Sequence, residues 1–320
     1  MPLTHLRALA LMTGTLAVTG ATAQPASTGS GQAYPAKPIR IVVGFVPGGG
    51  SDFIARLVSA KLTESLGRTV IVENRPGAGA VIATEFVAKA PADGYTLLLG
   101  SAGPFGIVPA LNPKTPYDSQ RDFDPITLVV IMPFLMTVHP SLPVKNVKDL
   151  VALAKTKPGQ LNFGSPGHGS TNHLANEMLK LMTKIDLTHV PYKGVSAAMT
   201  DVIAGQIQIL SGDLTTLLPP VKAGRLRAVA VTSGKRSSIA PDIPTIAESG
   251  VPGFEVSGWY GFLAPRAVPR NVVTKLHAET KKSLESETMK DRLRGLGLDI
   301  IAGGSYSRCV GETKQDPPNR

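Results

Sequence analysis

The run Pro38-Ile-Arg-Ile-Val-Val-Gly-Phe-Val-Pro-Gly-Gly-Gly-Ser-Asp52 constrains the fold more than any other stretch of the chain. A β-branched apolar segment ends in a glycine turn, and Phe53-Ile-Ala-Arg-Leu-Val58 continues at once with helical spacing. Strand, tight turn and helix in that order open an α/β sheet. The turn aims backbone N–H groups and the positive end of a helix dipole at one point, where a small anion belongs. Gly48, Gly49 and Gly50 permit positive φ and close ligand approach, with Ser51 or Asp52 as the helix cap. Asp52 disfavours a bulky phosphate, and the turn carries neither a G-x-G-x-x-G fingerprint nor the lysine of a Walker A loop.

The same alternation continues along the chain. Strands are expected over 39–45, 70–73 and 96–100, with helices over 51–66 and 79–90, which makes one doubly wound half. Residues 104–125 hold five prolines, too many for a regular element. Strands over 134–139, 161–164, 187–190 and 208–211 alternate with helices over 147–154, 173–182, 196–204 and 215–223. Strands over 226–231 and 259–264, a short helix over 243–249, helices over 269–283 and 287–295 and a strand over 298–300 complete the pattern. The expected fold class is α/β: a two-lobed clamshell whose lobes are mostly parallel sheets flanked by helices, with the cleft as ligand site. The first lobe is expected from 37–101 with 226–302, and the second from 102–225.

Residues 1–23 read as an export signal. His5 and Arg7 precede the apolar stretch over 8–18, and Ala21-Thr-Ala23 supplies small residues before a cleavage point. Residues 24–36 form a flexible lead-in rich in Ala, Ser, Gly and Pro. No segment is long enough to embed the mature chain in a membrane. Cys309 is the only cysteine, so no internal disulfide is expected. The net charge of +10 is scattered and is not interleaved with aromatics, which argues against nucleic acid.

A second turn, Ser165-Pro-Gly-His-Gly-Ser-Thr-Asn-His173, has the same strand-to-helix form. Ser165, Ser170 and Thr171 offer hydroxyls around a second anion cradle. A serine beside histidines also raises an exported serine hydrolase, with His168 or His173 as base, but there is no G-x-S-x-G elbow and Pro166 removes an oxyanion donor. His139, His189 and His277 are dispersed, so no metal site is expected. Lys193 and Asp213 lie at strand ends, where ligands of open α/β sheets gather.

These motifs together resemble the Bug-type substrate-binding proteins, the extracytoplasmic receptors of tripartite tricarboxylate transporters. The resemblance rests on Tyr34-Pro-Ala-Lys-Pro-Ile-Arg40, the glycine turn, Val72-Glu-Asn-Arg-Pro-Gly-Ala-Gly79, Ala90-Pro-Ala-Asp-Gly-Tyr-Thr-Leu97, the 163–174 turn, Val190-Pro-Tyr-Lys-Gly194, Gly224-Arg-Leu-Arg-Ala-Val229 and Pro244-Thr-Ile-Ala-Glu-Ser-Gly250. It spans roughly residues 34–300. It implies a periplasmic, monomeric, non-catalytic receptor without a cofactor that hands a small carboxylate to membrane transporter subunits. A receptor feeding a sensor kinase is the alternative within the same fold. Carried over residue by residue, it implies ligand contacts at Gly48, Gly49, Gly50, Ser51 and Asp52 from one lobe and Ser165, Gly169, Ser170 and Thr171 from the other. Asp213 is implied at the distal end of the ligand. The tail over 303–320 lacks the helix with which the family usually ends and reads as disordered, as a truncated or frame-shifted terminus would.

Overall fold

The structure is a computed structural model that describes residues 34–296 and 298–300. The expected signal peptide, most of the lead-in and the tail over 303–320 lie outside the described residues. In chain order the elements are β1 (Ile39–Val43), α1 (Gly50–Leu66), β2 (Val70–Asn74), α2 (Val81–Ala88), β3 (Thr96–Ser101), α3 (Val108–Leu111), β4 (Phe123–Val138) and α4 (Val147–Thr156). There follow β5 (Asn162–Ser165), α5 (Thr171–Thr183), β6 (Thr188–Pro191), α6 (Val195–Ile203), β7 (Ile209–Asp213), α7 (Leu214–Lys222) and β8 (Arg227–Val231). The chain then forms β9 (Ser257–Pro265), α8 (Arg270–Glu285), α9 (Glu287–Arg294) and β10 (Asp299–Ile300).

The strands run in the order β2-β1-β3-β9-β4-β7-β5-β6, with β8 and β10 also on β4. The β1/β2, β1/β3, β5/β6 and β5/β7 pairs are parallel, as βαβ crossovers demand. The opening unit forms as its pattern requires. β1 is buried along its length on Ile39, Ile41, Val42 and Val43, and α1 ends where Gly67 adopts the left-handed conformation and returns its N–H to Thr63. Ile54, Leu57, Val58 and Leu62 of α1 pack on one side of the first sheet in a core shared with β9 and α8. Leu150, Ala154, Leu179 and Phe163 centre the equivalent core of the second.

β4 ties the two halves together. Its residues 123–133 pair with β9, and residues 134–138 pair with β7 and β8. The strand was expected only from residue 134, because prolines usually exclude regular structure. Here Pro125 falls at a register shift against β9, and Pro133 sits where one ladder hands over to the other, positions at which a missing N–H is tolerated. β8, expected with the first lobe, pairs with the end of β4 that also carries β7. The short helix expected over 243–249 is a series of turns, in which Thr245 and Glu248 cap one another through backbone N–H groups at 3.0 Å.

Thr232 stitches the second crossing to the first. Its N–H donates to the Phe134 carbonyl at 3.0 Å, and its Oγ1 accepts the Phe134 N–H at 3.0 Å while donating to the Val256 carbonyl at 2.7 Å. Thr232→Val keeps the shape and strands the buried Phe134 N–H. We expect a loss of about 1–3 kcal/mol in urea unfolding; an unchanged midpoint would show that the hydroxyl is dispensable there.

Candidate functional site

Two helices begin at the seam between the halves. α1 starts after Gly49 with no side-chain cap, and the first N–H to find a helical partner is that of Phe53, on the Gly49 carbonyl at 3.0 Å. Its first-turn N–H groups therefore point outward from the helix end. α5 starts after Ser170, whose Oγ accepts the His173 N–H at 3.2 Å, leaving the Thr171 and Asn172 N–H groups at the helix mouth. The two mouths border one cleft. Gly49 and Ser51 line it from α1, and Ser170, Thr171 and Asn172 from α5. Ser101, Phe45 and Phe134 add to the walls, and Asp213, Trp259 and Tyr260 close its depth.

No lysine or arginine lines the cleft among the described residues. Anion selectivity there has to come from backbone dipoles and neutral donors. One such donor is Asn172, whose Nδ2 is buried and has no protein partner. Among the described residues, the acid that lines the cleft is Asp213, which is 4% exposed. Burial pushes its carboxyl up to about 6, although Tyr260 and the Gly50 N–H both hydrogen-bond to it. The Tyr260 hydroxyl donates to Asp213 Oδ1 at 3.3 Å. Burial, then the neighbouring Asp213, raises the phenol far above its usual range. Gly50 is required by this approach: a Cβ there would sit 2.8 Å from the Asp213 carboxyl carbon.

The remaining expected contacts build the turns. Asp52 does not line the cleft; its carboxylate takes the Gly48 N–H at 3.1 Å, Arg56 Nε at 3.0 Å and Asn74 Nδ2 at 2.9 Å. Burial opposes its ionisation, but those bonds outweigh it and hold the carboxyl below the usual range. Gly48 is exposed outside the helix mouth with φ +82°. Ser165 is fully buried, bonded to Gly167 N and O at 3.1 Å, with His189 Nε2 at 2.6 Å. Gly169 packs under Gly103 and against Val108. Asn172, Trp259 and Tyr260 were not expected at the site. Asn172 looks like an ordinary first-turn residue, and the two aromatics lie within a buried strand and read as core.

The lobes meet through backbone. Val46 N–H donates to the Lys193 carbonyl at 3.2 Å, and Ser196 Oγ donates to the Pro47 carbonyl at 3.1 Å. Gly79, at φ +62°, lies directly against the His168 carbonyl. The cleft between them has a free volume of only about 30 Å³. A ligand of more than a few heavy atoms has to part the lobes to enter.

Two α/β lobes joined by crossing strands, with a cleft edged by two helix mouths, define the periplasmic-binding-protein fold. The chain belongs to the tripartite tricarboxylate transporter family of receptors, whose sequence model matches residues 54–314. It is 40% identical over 272 residues to the UPF0065 protein in the tcbD-tcbE intergenic region of Pseudomonas sp. (strain P51), covering 85% of this chain and 81% of that one. It is 36% identical to Protein BugT of Bordetella pertussis, with 93% of each chain covered. Among solved structures, R. palustris Rpa4515 with adipate superposes with a TM-score of 0.84 at 37% identity, over 87% of this chain and 94% of that one. MatC (Rpa3494) from Rhodopseudomonas palustris with bound malate gives 0.82 at 32% identity over the same shares. Among the described residues, no helix is long and apolar enough to cross a membrane.

Proposed function

We propose that this chain is a periplasmic receptor that captures a small dicarboxylate between its lobes and presents it to a tripartite tricarboxylate-type membrane transporter. The observation that carries this reading is the meeting of the α1 and α5 N-termini on one cleft without a cation. One ligand carboxylate lies between Ser51 and the Ser170–Thr171 mouth, where N–H groups and hydroxyls replace its water. Asn172 Nδ2 is a further donor to it. The distal end of the ligand reaches toward Asp213 and Tyr260. The relatives captured with adipate and with malate support the ligand class. Gly48, Asp52, Ser165 and Gly169 act by shaping the two turns.

The strand pairings support lobes of 34–133 with 257–300 and of 134–256. Closure about β4 and the 232–256 segment gives the transporter a liganded form to recognise. The receptor acts as a monomer, without a cofactor and without catalysis. Ser165 supports the last point: its hydroxyl is buried within its own turn, and no carboxylate stands behind His189 to complete a triad.

The test is a thermal-shift and calorimetric series of carboxylates running from malate to adipate, with aromatic acids and amino acids beside them. A ligand present at about 100 Kd should stabilise the protein by roughly 2.7 kcal/mol. No shift with any small carboxylate would sink the proposal.

A further inference from the structure

Three histidines, none of which lines the carboxylate cleft, converge on the second lobe. His168 is on the turn before α5, His173 is in the first turn of α5, and His189 is on β6. The parallel β5/β6 register sets His189 beside Phe163, which stacks on the imidazoles of His189 at 4.9 Å and His173 at 6.3 Å. The ring centroids of His173 and His189 are 4.1 Å apart, and His168 closes on both edge-on at 5.4 and 4.7 Å. Each ring offers a nitrogen within 4.8 Å of the others. We propose that His168, His173 and His189 form a binding site for a divalent transition-metal ion of the zinc class.

The His189 ring carries a second, independent sign of a ligand. Its Nε2 lies 2.6 Å from Ser165 Oγ, whose own proton goes to the Gly167 carbonyl. In the tautomer that donates Nε2–H to Ser165 Oγ, Nδ1 keeps a lone pair. That Nδ1 is buried and has no partner. A serine fixing the far nitrogen is the outer-shell arrangement that orients metal-bound imidazoles.

The geometry requires a small adjustment. Metal–nitrogen bonds of about 2.0–2.1 Å in a tetrahedral site place ligand nitrogens about 3.4 Å apart. His168 is exposed and free to swing inward by the difference. His173 accepts the Gly169 N–H on Nδ1 at 3.3 Å, so it presents Nε2. Loading Nε2 moves the ring proton to Nδ1, and that long contact is given up. Lys180 stands near the cluster, but Glu177 pairs with it at 3.0 Å and places Oε1 3.9 Å from His173 Nε2. Water takes the fourth position. Three imidazoles without a thiolate suit zinc, nickel or copper and not calcium or magnesium.

The test uses the exported chain purified without a histidine tag, stripped with EDTA and dialysed. Zinc is titrated by calorimetry, and cobalt is added separately to read its visible absorption. We expect one equivalent of zinc and the intense bands of tetrahedral cobalt. His168→Ala, at an exposed position, should weaken zinc binding a hundredfold or more with an unchanged melting temperature. His139→Ala, at a half-buried histidine whose ring bonds only to Ser141 of its own loop, should bind as the parent does. Absence of zinc binding in the parent, retention of full affinity in His168→Ala, or equal losses in both variants would each overturn the proposal.

Discussion

Gly79→Val is expected to weaken carboxylate binding roughly tenfold to a hundredfold while leaving the unliganded protein folded. Gly79 has φ +62° and faces the His168 carbonyl across the seam. Any side chain there carries two separate penalties. The left-handed backbone costs about 1–2 kcal/mol for a residue with a Cβ, and it does so whether the lobes are apart or together. The collision with His168 exists only when the lobes meet, at about 1–3 kcal/mol for overpacking a tight contact. The first penalty lowers the melting temperature of the free protein. The second appears in the dissociation constant, because binding and closure are linked. Gly79→Ala should show the same pattern with a smaller affinity loss. Calorimetric titration with the best carboxylate separates the two penalties. A valine variant that binds as tightly as the parent would mean that the liganded lobes never come as close as they do here.

The same seam shows what a single sequence can and cannot reveal. The unit from Ile39 to Leu66 was legible because its apolar pattern switches from a period of two to one of 3.6 at a glycine turn, and local physics decides such a switch. The helix mouths at Gly49 and Ser170 were legible for the same reason. β4 was not. Pro125 and Pro133 reject a strand locally, and only the register against β9 and the handover to β7 and β8 make their missing donors harmless. The partner of β8 was hidden because a five-residue apolar strand carries no label for the sheet it joins. The histidine cluster was hidden by topology: β6 lies beside β5, and that adjacency, absent from any local pattern, brings His189 to His173. At the site, Ser51 and Thr171 announced themselves through the turns that carry them. Tyr260 did not, because a buried aromatic in a strand looks like core until a neighbouring acid, Asp213, is found on its hydroxyl.

That acid leads to the second large effect. Asp213→Asn is expected to stabilise the unliganded protein at pH 7.5 by up to about 3 kcal/mol, and to bring no gain near pH 3.5. The folded carboxyl titrates at about 6 against an ordinary value of 3.8, because burial disfavours its charge. A pKa raised by folding means that the folded state holds the extra proton between those two values, so stability falls as pH rises through that window. The cost is complete above the upper value, and each pH unit that separates the two values contributes about 1.4 kcal/mol to it. Asparagine is isosteric and uncharged; its oxygen faces the Gly50 N–H and its amide group donates to the Tyr260 oxygen. Melting temperatures of both proteins across this range test the sign. Ligand binding sharpens the expectation. A carboxylate entering a cleft without lysine or arginine adds a second negative charge near Asp213, and like charges in one site raise the pKa further. Binding should then take up a proton, and the wild-type dissociation constant should rise by up to about tenfold per pH unit above pH 6. Asp213→Asn has no proton to take up, so its dissociation constant should stay flat from pH 6 to 8. Calorimetry in buffers of different ionisation enthalpy counts the protons directly. A flat wild-type profile with no proton uptake would place the bound carboxylate out of reach of Asp213, and the distal end of the cleft would then have to be assigned to other residues.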